Sequence, residues 1–215
     1  MNKLLRSMLA VVAIGLPVLA FGGAAEAKGK GKGNKAPSAS VDAKFGRWLI
    51  TPHGKIDGML LDTGSIVVVH PDAVRDTSLK AGDAIHLDAK AKGNGAPIVY
   101  VHAKVTKGTV VVVDDTAKHG KGAKGGKAGG NTGTLSDLTA ASKVSSFFVG
   151  PKGKVRGLIL DDGTIAYAPH HQDLGSFSLK KGDAVTVTGK GGSYTFGRAL
   201  VIKTLKLPSG DVKTL

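Results

Sequence analysis

The sequence predicts an all-β protein of two tandem five-stranded small barrels, and three observations carry that expectation. The chain repeats itself: Ile50 to Ile66 reads ITPHGKIDGMLLDTGSI, and Val149 to Ile165, ninety-nine residues on, reads VGPKGKVRGLILDDGTI. The match resumes one residue out of step, Leu79 to Ile85 (LKAGDAI) answering Leu179 to Val185 (LKKGDAV). Beyond Glu26 every acidic residue is Asp, and the chain holds 32 Gly. Asp and Gly suit turns whereas Glu suits helix interiors, so strands joined by tight turns are expected and helix should be scarce.

In the first copy, strands are expected over Phe45 to Thr51, Lys55 to Leu61, Ser65 to Val69, Ala84 to Ala89 and Ile98 to Thr106. The turns Pro52-His53-Gly54, Asp62-Thr63-Gly64 and Gly82-Asp83 separate them. Val110 to Val113 pairs back through Lys107-Gly108. Pro71 to Leu79 is an irregular connector with one short helical turn beginning near Pro71. The second copy repeats the order with Val144 to Val149, Lys154 to Leu160, Thr164 to Ala168, Ala184 to Thr188 and Arg198 to Lys206, and its connector is His170 to Leu179. Alternation in Ala184 to Thr188 places Val185 and Val187 inward. Each copy has about seventy to eighty residues, few for one core but enough for a closed barrel, which has no free edges.

The segments Gly54 to Gly64, His70-Pro71 and Leu79 to Asp83, recurring as Gly153 to Gly163, Pro169-His170-His171 and Leu179 to Asp183, resemble small exported bacterial OB-fold-like domains. The resemblance implies five-stranded barrels whose only irregular or helical connection lies between the third and fourth strands. It implies no particular activity, because OB barrels carry many.

Residues 1–27 read as a signal peptide: Lys3 and Arg6, an apolar run from Leu9 to Phe21, then Ala25-Glu26-Ala27, with cleavage expected after Ala27. The apolar run falls short of the about 20 residues that span a bilayer. With no cysteine, neither a lipid anchor nor a disulfide is available. The expected protein is therefore exported, periplasmic or secreted, with no transmembrane segment after cleavage. Residues 28–44 read as a disordered Lys/Gly-rich arm, 45–115 and 135–215 as the two barrels, and 116–134 as a flexible Gly/Lys-rich linker. The arm and linker each carry +4, the first barrel is charge-neutral and the second carries +5.

Several residues invite a functional reading. Lys28, Lys30, Lys32 and Lys35 in the arm, and Lys118, Lys121, Lys124 and Lys127 in the linker, suit salt-dependent contact with an anionic polymer, an envelope surface or, without sequence preference, nucleic acid. Tyr194 and Phe196 follow the expected Gly-rich turn Lys190-Gly191-Gly192-Ser193, where OB domains often keep a binding loop, and Lys190, Arg198 and Lys203 are near in sequence. Aromatics beside bases make a stacking surface for a ligand, although a small barrel also needs aromatics for its core. His170 and His171 have the chemistry to hold Zn, Cu or Ni, but not the spacing of a dedicated site. The Gly-Lys pairs Gly54-Lys55 and Gly153-Lys154 are hairpin turns rather than phosphate loops, since no helix follows them. No nucleophile elbow and no outstanding acid pair appears, so no catalytic residue is assigned and no cofactor is expected. The function these features suggest is a non-enzymatic exported binding protein that contacts an anionic polymer or envelope surface. Two alternatives are a metal or small-ligand binder using the Pro-His-His connector, and a structural component of the envelope. Because the shared residues are mostly turns and core, the differences between the copies are the better guide to function.

Overall fold

A computed structural model describes residues 38–92, 97–116, 134–170 and 172–215, which fall within one compact unit. The first copy contains β1 (Ser38–Ile50), β2 (Ile56–Leu61), β3 (Ile66–Val68), β4 (Ala84–Lys92), β5 (Val99–Lys107) and β6 (Val110–Asp114). The second contains β7 (Ser136–Val149), β8 (Val155–Leu160), β9 (Ile165–Tyr167), β10 (Ala184–Tyr194), β11 (Gly197–Lys206) and β12 (Val212–Thr214). In the first, the order β3-β2-β1-β4-β5 closes on itself because β3 also pairs in parallel with β5, Ile66 opposite Val99. In the second, β9 and β11 close the ring in the same way, Ile165 opposite Ala199. Two closed five-stranded barrels result, each with one extra strand, β6 or β12, on its fifth.

The turns behave as their chemistry requires. Gly82 and Gly182 take φ of +90° and +91°, a region open to Gly at little cost. The carboxylates of Asp83 and Asp183 accept the backbone N–H of Lys80 and Lys180 at 2.9 and 2.8 Å. Pro71 opens a 3-10 turn over Pro71–Ala73, and a second 3-10 turn, Leu174–Phe177, occupies the same connector in the second copy. Leu174, 1% exposed, packs from that turn into the second barrel's core. Val185 and Val187 point inward, at 4% and 0% exposed.

Three expectations need correction. The reading of 28–44 as a disordered arm fails for its last seven residues, because β1 begins at Ser38 and pairs with β4 from Ser38–Lys90 to Lys44–Ala84. Closure requires this: the first half of β1 pairs with β4 and its second half with β2, through a register shift at Phe45–Arg47. Ala39, Val41 and Ala43 supply the alternating inward face. β7 likewise begins at Ser136, eight residues before the expected Val144, and pairs with β10 before it turns to β8. Finally, Lys190 to Ser193 is strand rather than turn; the turn is Thr195-Phe196. The glycines there serve close packing. A β-carbon on Gly189 would sit 1.8 Å from the Val201 carbonyl oxygen, so only Gly lets β10 lie this tightly on β11.

The barrels do not hang apart on a linker. Leu158 and Leu160 belong to the second barrel's own core, but Ile159 between them joins the first barrel's cluster. Ala166 and Leu200 face their own barrel, while their neighbours Ile165 and Ala199 face the first. Successive residues of a strand point to opposite faces, so β8 over Leu158–Leu160, β9 over Ile165–Ala166 and β11 over Ala199–Leu200 are buried on both sides, one barrel on each.

Candidate ligand-binding cleft

Trp48, 3% exposed, is the centre of the contact between barrels. It packs on Phe45 at 5.1 Å between ring centroids and meets Phe196 of the second barrel edge-on at 6.5 Å. Beside it, Arg47 crosses to the second barrel and donates from Nη2 to the Gly163 carbonyl at 2.7 Å. Burial lowers the Arg47 pKa, and Asp162 partly counters that effect. Arg47 Nε and Trp48 Nε1 are buried without a hydrogen-bond partner among the described residues. Each costs about 1–3 kcal/mol, which the apolar contact must exceed.

Next to this contact the two barrels leave a cleft of about 820 Å³. Its walls come from the same places in the repeat: Pro52 and Pro151, Val69 and Ala168, Val101 and Val201, and the connector starts His70-Pro71 and Pro169-His170. The walls of the cleft are therefore related by the repeat. Three pairs break that relation in kind: Asp57 against Arg156, Val68 against Tyr167, and Thr51 against Gly150.

Asp57 and Tyr167 meet across the barrels. The Tyr167 hydroxyl is 3.2 Å from both carboxyl oxygens of Asp57 and donates to the Ile50 carbonyl at 3.0 Å. Its ring packs edge-on against Phe148 at 5.2 Å. Burial pushes the Asp57 carboxyl up to about 7, against hydrogen bonds from Tyr167 and from its own backbone N–H. Burial also raises Tyr167, helped by the adjacent Asp57. A hydroxyl has one proton, so it cannot serve Ile50 and an ionised Asp57 together. Neutral Asp57 resolves this by donating to the Tyr167 oxygen while Tyr167 donates to Ile50.

The aromatic pair Tyr194 and Phe196 is taken up by the same contact rather than presented as a stacking surface. Tyr194 donates to the Pro52 carbonyl at 2.7 Å and lays its ring on Gly54. Phe196 packs against Trp48. Lys190 instead pairs with Asp137 at 2.9 Å, Arg198 donates to the Thr139 carbonyl at 3.0 Å, and Lys203 is exposed on β11. The two aromatics are thus spent on the contact between barrels, while Lys190 and Arg198 are engaged with β7. His170 stands on the cleft. His171 lies outside the described residues, as do Lys28, Lys30, Lys32, Lys35, Lys118, Lys121, Lys124 and Lys127. Among the described residues no three His, Asp or Glu side chains gather as a metal site.

Sequence reading also missed a surface array. On the β1–β4 face, His86 has Ser40 Oγ 3.1 Å from Nε2 and Asp42 Oδ1 2.8 Å from Nδ1. The bond to Asp42 raises the His86 pKa. The signal was the register itself, which sets Asp42 opposite His86 and Ser40 opposite Asp88. The arrangement has the atoms of a nucleophile triad but not its surroundings. Ser40 also donates to Asp88 at 2.9 Å, the array is solvent-exposed, and β1 and β4 spend their backbone N–H groups on each other rather than on an oxyanion. It is a cross-strand polar ladder.

Comparison with protein-family models, with curated proteins and with solved structures finds no match to this chain.

Proposed function

We propose that this is a non-enzymatic, exported binding protein that holds a small ligand in the cleft between its two barrels. One observation carries the reading: the same segments of both copies converge on a cleft of about 820 Å³, and three differences in kind between the copies fall inside it. That volume lies within the range of small-molecule sites, about 300–1,000 Å³. The walls are apolar on Val68, Val101, Phe148 and Val201, with a few polar groups converging on them, which is how such sites fix orientation. The connector histidines of the small-ligand alternative enter as rim residues, His70 from one barrel and His170 from the other. A thermal-shift screen of small organic molecules tests the reading, with Val201→Trp as a cleft-filling control. Compounds that raise Tm in the wild type should lose that effect in the variant; stabilisation that survives in Val201→Trp would place binding elsewhere.

The Lys-rich tracts supply a second, charge-driven attachment to anionic polymers or the envelope. Residues 28–44 and 116–134 together hold +8 of the +13 left after residue 27. Retention on an anionic polymer such as heparin should fall steeply between about 50 and 200 mM salt and should weaken when Lys28, Lys30, Lys32, Lys35, Lys118, Lys121, Lys124 and Lys127 are replaced by serine, which leaves β1 intact. Retention indifferent to salt removes this attachment without touching the cleft.

A further inference from the structure

The departures from the repeat also specify what the cleft would hold. Where the first copy has Thr51 and Asp57, the second has Gly150 and Arg156, and these two differences act together. A β-carbon on Gly150 would lie 2.7 Å from Arg156 Cδ, so the missing side chain is what lets the arginine stem lie across the lip. In the first copy Thr51 stands at the equivalent position. Arg156 is exposed at the cleft and makes no ion pair or side-chain hydrogen bond among the described residues. An arginine held in place with its fork open suits planar, bidentate recognition of a carboxylate.

The other polar groups agree in sign. Lys92 and His102 line the cleft from the first barrel. His102 is placed there by a bulge opposite Ala89, where its backbone takes a left-handed φ of 52°. Such a conformation is uncommon outside Gly and is retained where the surroundings or a function demand it. Of the two acids facing the cleft, Asp115 is only 7% exposed and accepts the backbone N–H of His70 at 3.3 Å. Asp57 is engaged by Tyr167. The accessible groups are thus mainly donors, set in an apolar wall.

We propose that the cleft selects a small organic anion: an apolar or aromatic body carrying one carboxylate, with the carboxylate on Arg156 and the body against Val101, Val201 and Phe148. This rests on the reading of the cleft as the ligand site, so the experiment separates the two. The purified full chain is titrated calorimetrically with 1-naphthoate, 1-naphthamide and 1-naphthylmethylamine, which share one apolar body and differ in charge. Naphthoate should bind at least about tenfold more tightly than the amide, as a charge-assisted hydrogen bond implies, and the amine most weakly. Arg156→Met should bring naphthoate to the amide's affinity and leave the amide unchanged.

Equal affinity for naphthoate and naphthamide, a preference that persists in Arg156→Met, or no binding of naphthoate at millimolar concentration overturns the anion selection. Val201→Trp and, independently, Val101→Trp fill the cleft from opposite barrels. Either one, still unfolding cooperatively, should abolish binding of all three probes. Undiminished binding in such a variant overturns the cleft as the site, whichever charge is preferred.

Discussion

Alanine at Gly54 is expected to destabilise the protein by about 3 kcal/mol, while alanine at Gly153 costs about 1 kcal/mol. The two glycines are equivalent in the repeat and nearly identical in backbone, with φ of +77° and +78°. Each closes the same turn, Gly54 N–H bonding the Thr51 carbonyl at 2.8 Å and Gly153 N–H the Gly150 carbonyl at 2.9 Å. Placing an L-residue in the left-handed region costs roughly 1–2 kcal/mol at either site. Only Gly54 has a neighbour. Its β-carbon would fall 2.5 Å from the Tyr194 ring, whereas nothing lies within 4 Å of the position at Gly153. Tyr194 cannot yield without losing its bond to Pro52, so an overpacking cost of about 1–3 kcal/mol is added. Urea unfolding of the two variants measures the difference directly. Trp48, the chain's single tryptophan, reports on the contact between barrels. Equal losses of stability in the two variants would falsify the seating of Tyr194 on Gly54.

Asp57→Asn should make the protein more stable at pH 8 and confer no advantage at pH 4. In the folded protein the Asp57 carboxyl titrates near 7, against about 3.8 for an ordinary aspartate. The folded state therefore holds a proton that the unfolded chain releases. The stabilisation this provides is complete below about pH 4 and is lost as pH rises towards and through 7. Full burial would make it roughly 4 kcal/mol at about 1.4 kcal/mol per pKa unit. Solvent at the cleft reduces that to about 2 kcal/mol. The loss has a structural expression. Once ionised, Asp57 draws the Tyr167 proton away from the Ile50 carbonyl and weakens a bond that joins the barrels. The Asn side chain keeps a donor for the Tyr167 oxygen at every pH. Asp83 and Asp114, whose pKa values are lowered chiefly by hydrogen bonds from Lys107 and Thr116, act in the opposite direction on acidification. The difference between wild type and variant is thus the readout. Its expected size is about 5 °C in Tm at pH 8, vanishing towards pH 4. A difference independent of pH would show that Asp57 is ionised throughout.

The barrels were legible because the repeat is written mostly in turn residues. Gly54, Gly64 and Gly82 and their counterparts Gly153, Gly163 and Gly182 all take φ between +77° and +91°, so the recurring glycines marked the corners correctly. The contact between barrels was harder to read. Tyr194 and Phe196 stood out as aromatics near a strand end, and they do bind a surface; that surface is the first barrel. A hint lay in the strands themselves. Met59-Leu60-Leu61, Leu158-Ile159-Leu160 and Ile165-Ala166 are continuous apolar runs, and a strand that is apolar on both faces is covered on both. Asp57 carried a weaker signal, visible only as the place where the second copy has Arg156. Its burial depends on Tyr167, 110 residues away, which no local pattern could supply. The strand at Ser38 was hidden by composition. Small and polar residues there mimic a tail, and only the need to pair with β4 makes them a strand.

Ile159 and Ile165 complete a core that belongs to the other half of the chain. The duplication has therefore ceased to be a spare. Neither copy can drift, lose a side chain or be exchanged for its sibling without the other sensing it, and what began as redundancy persists as mutual dependence.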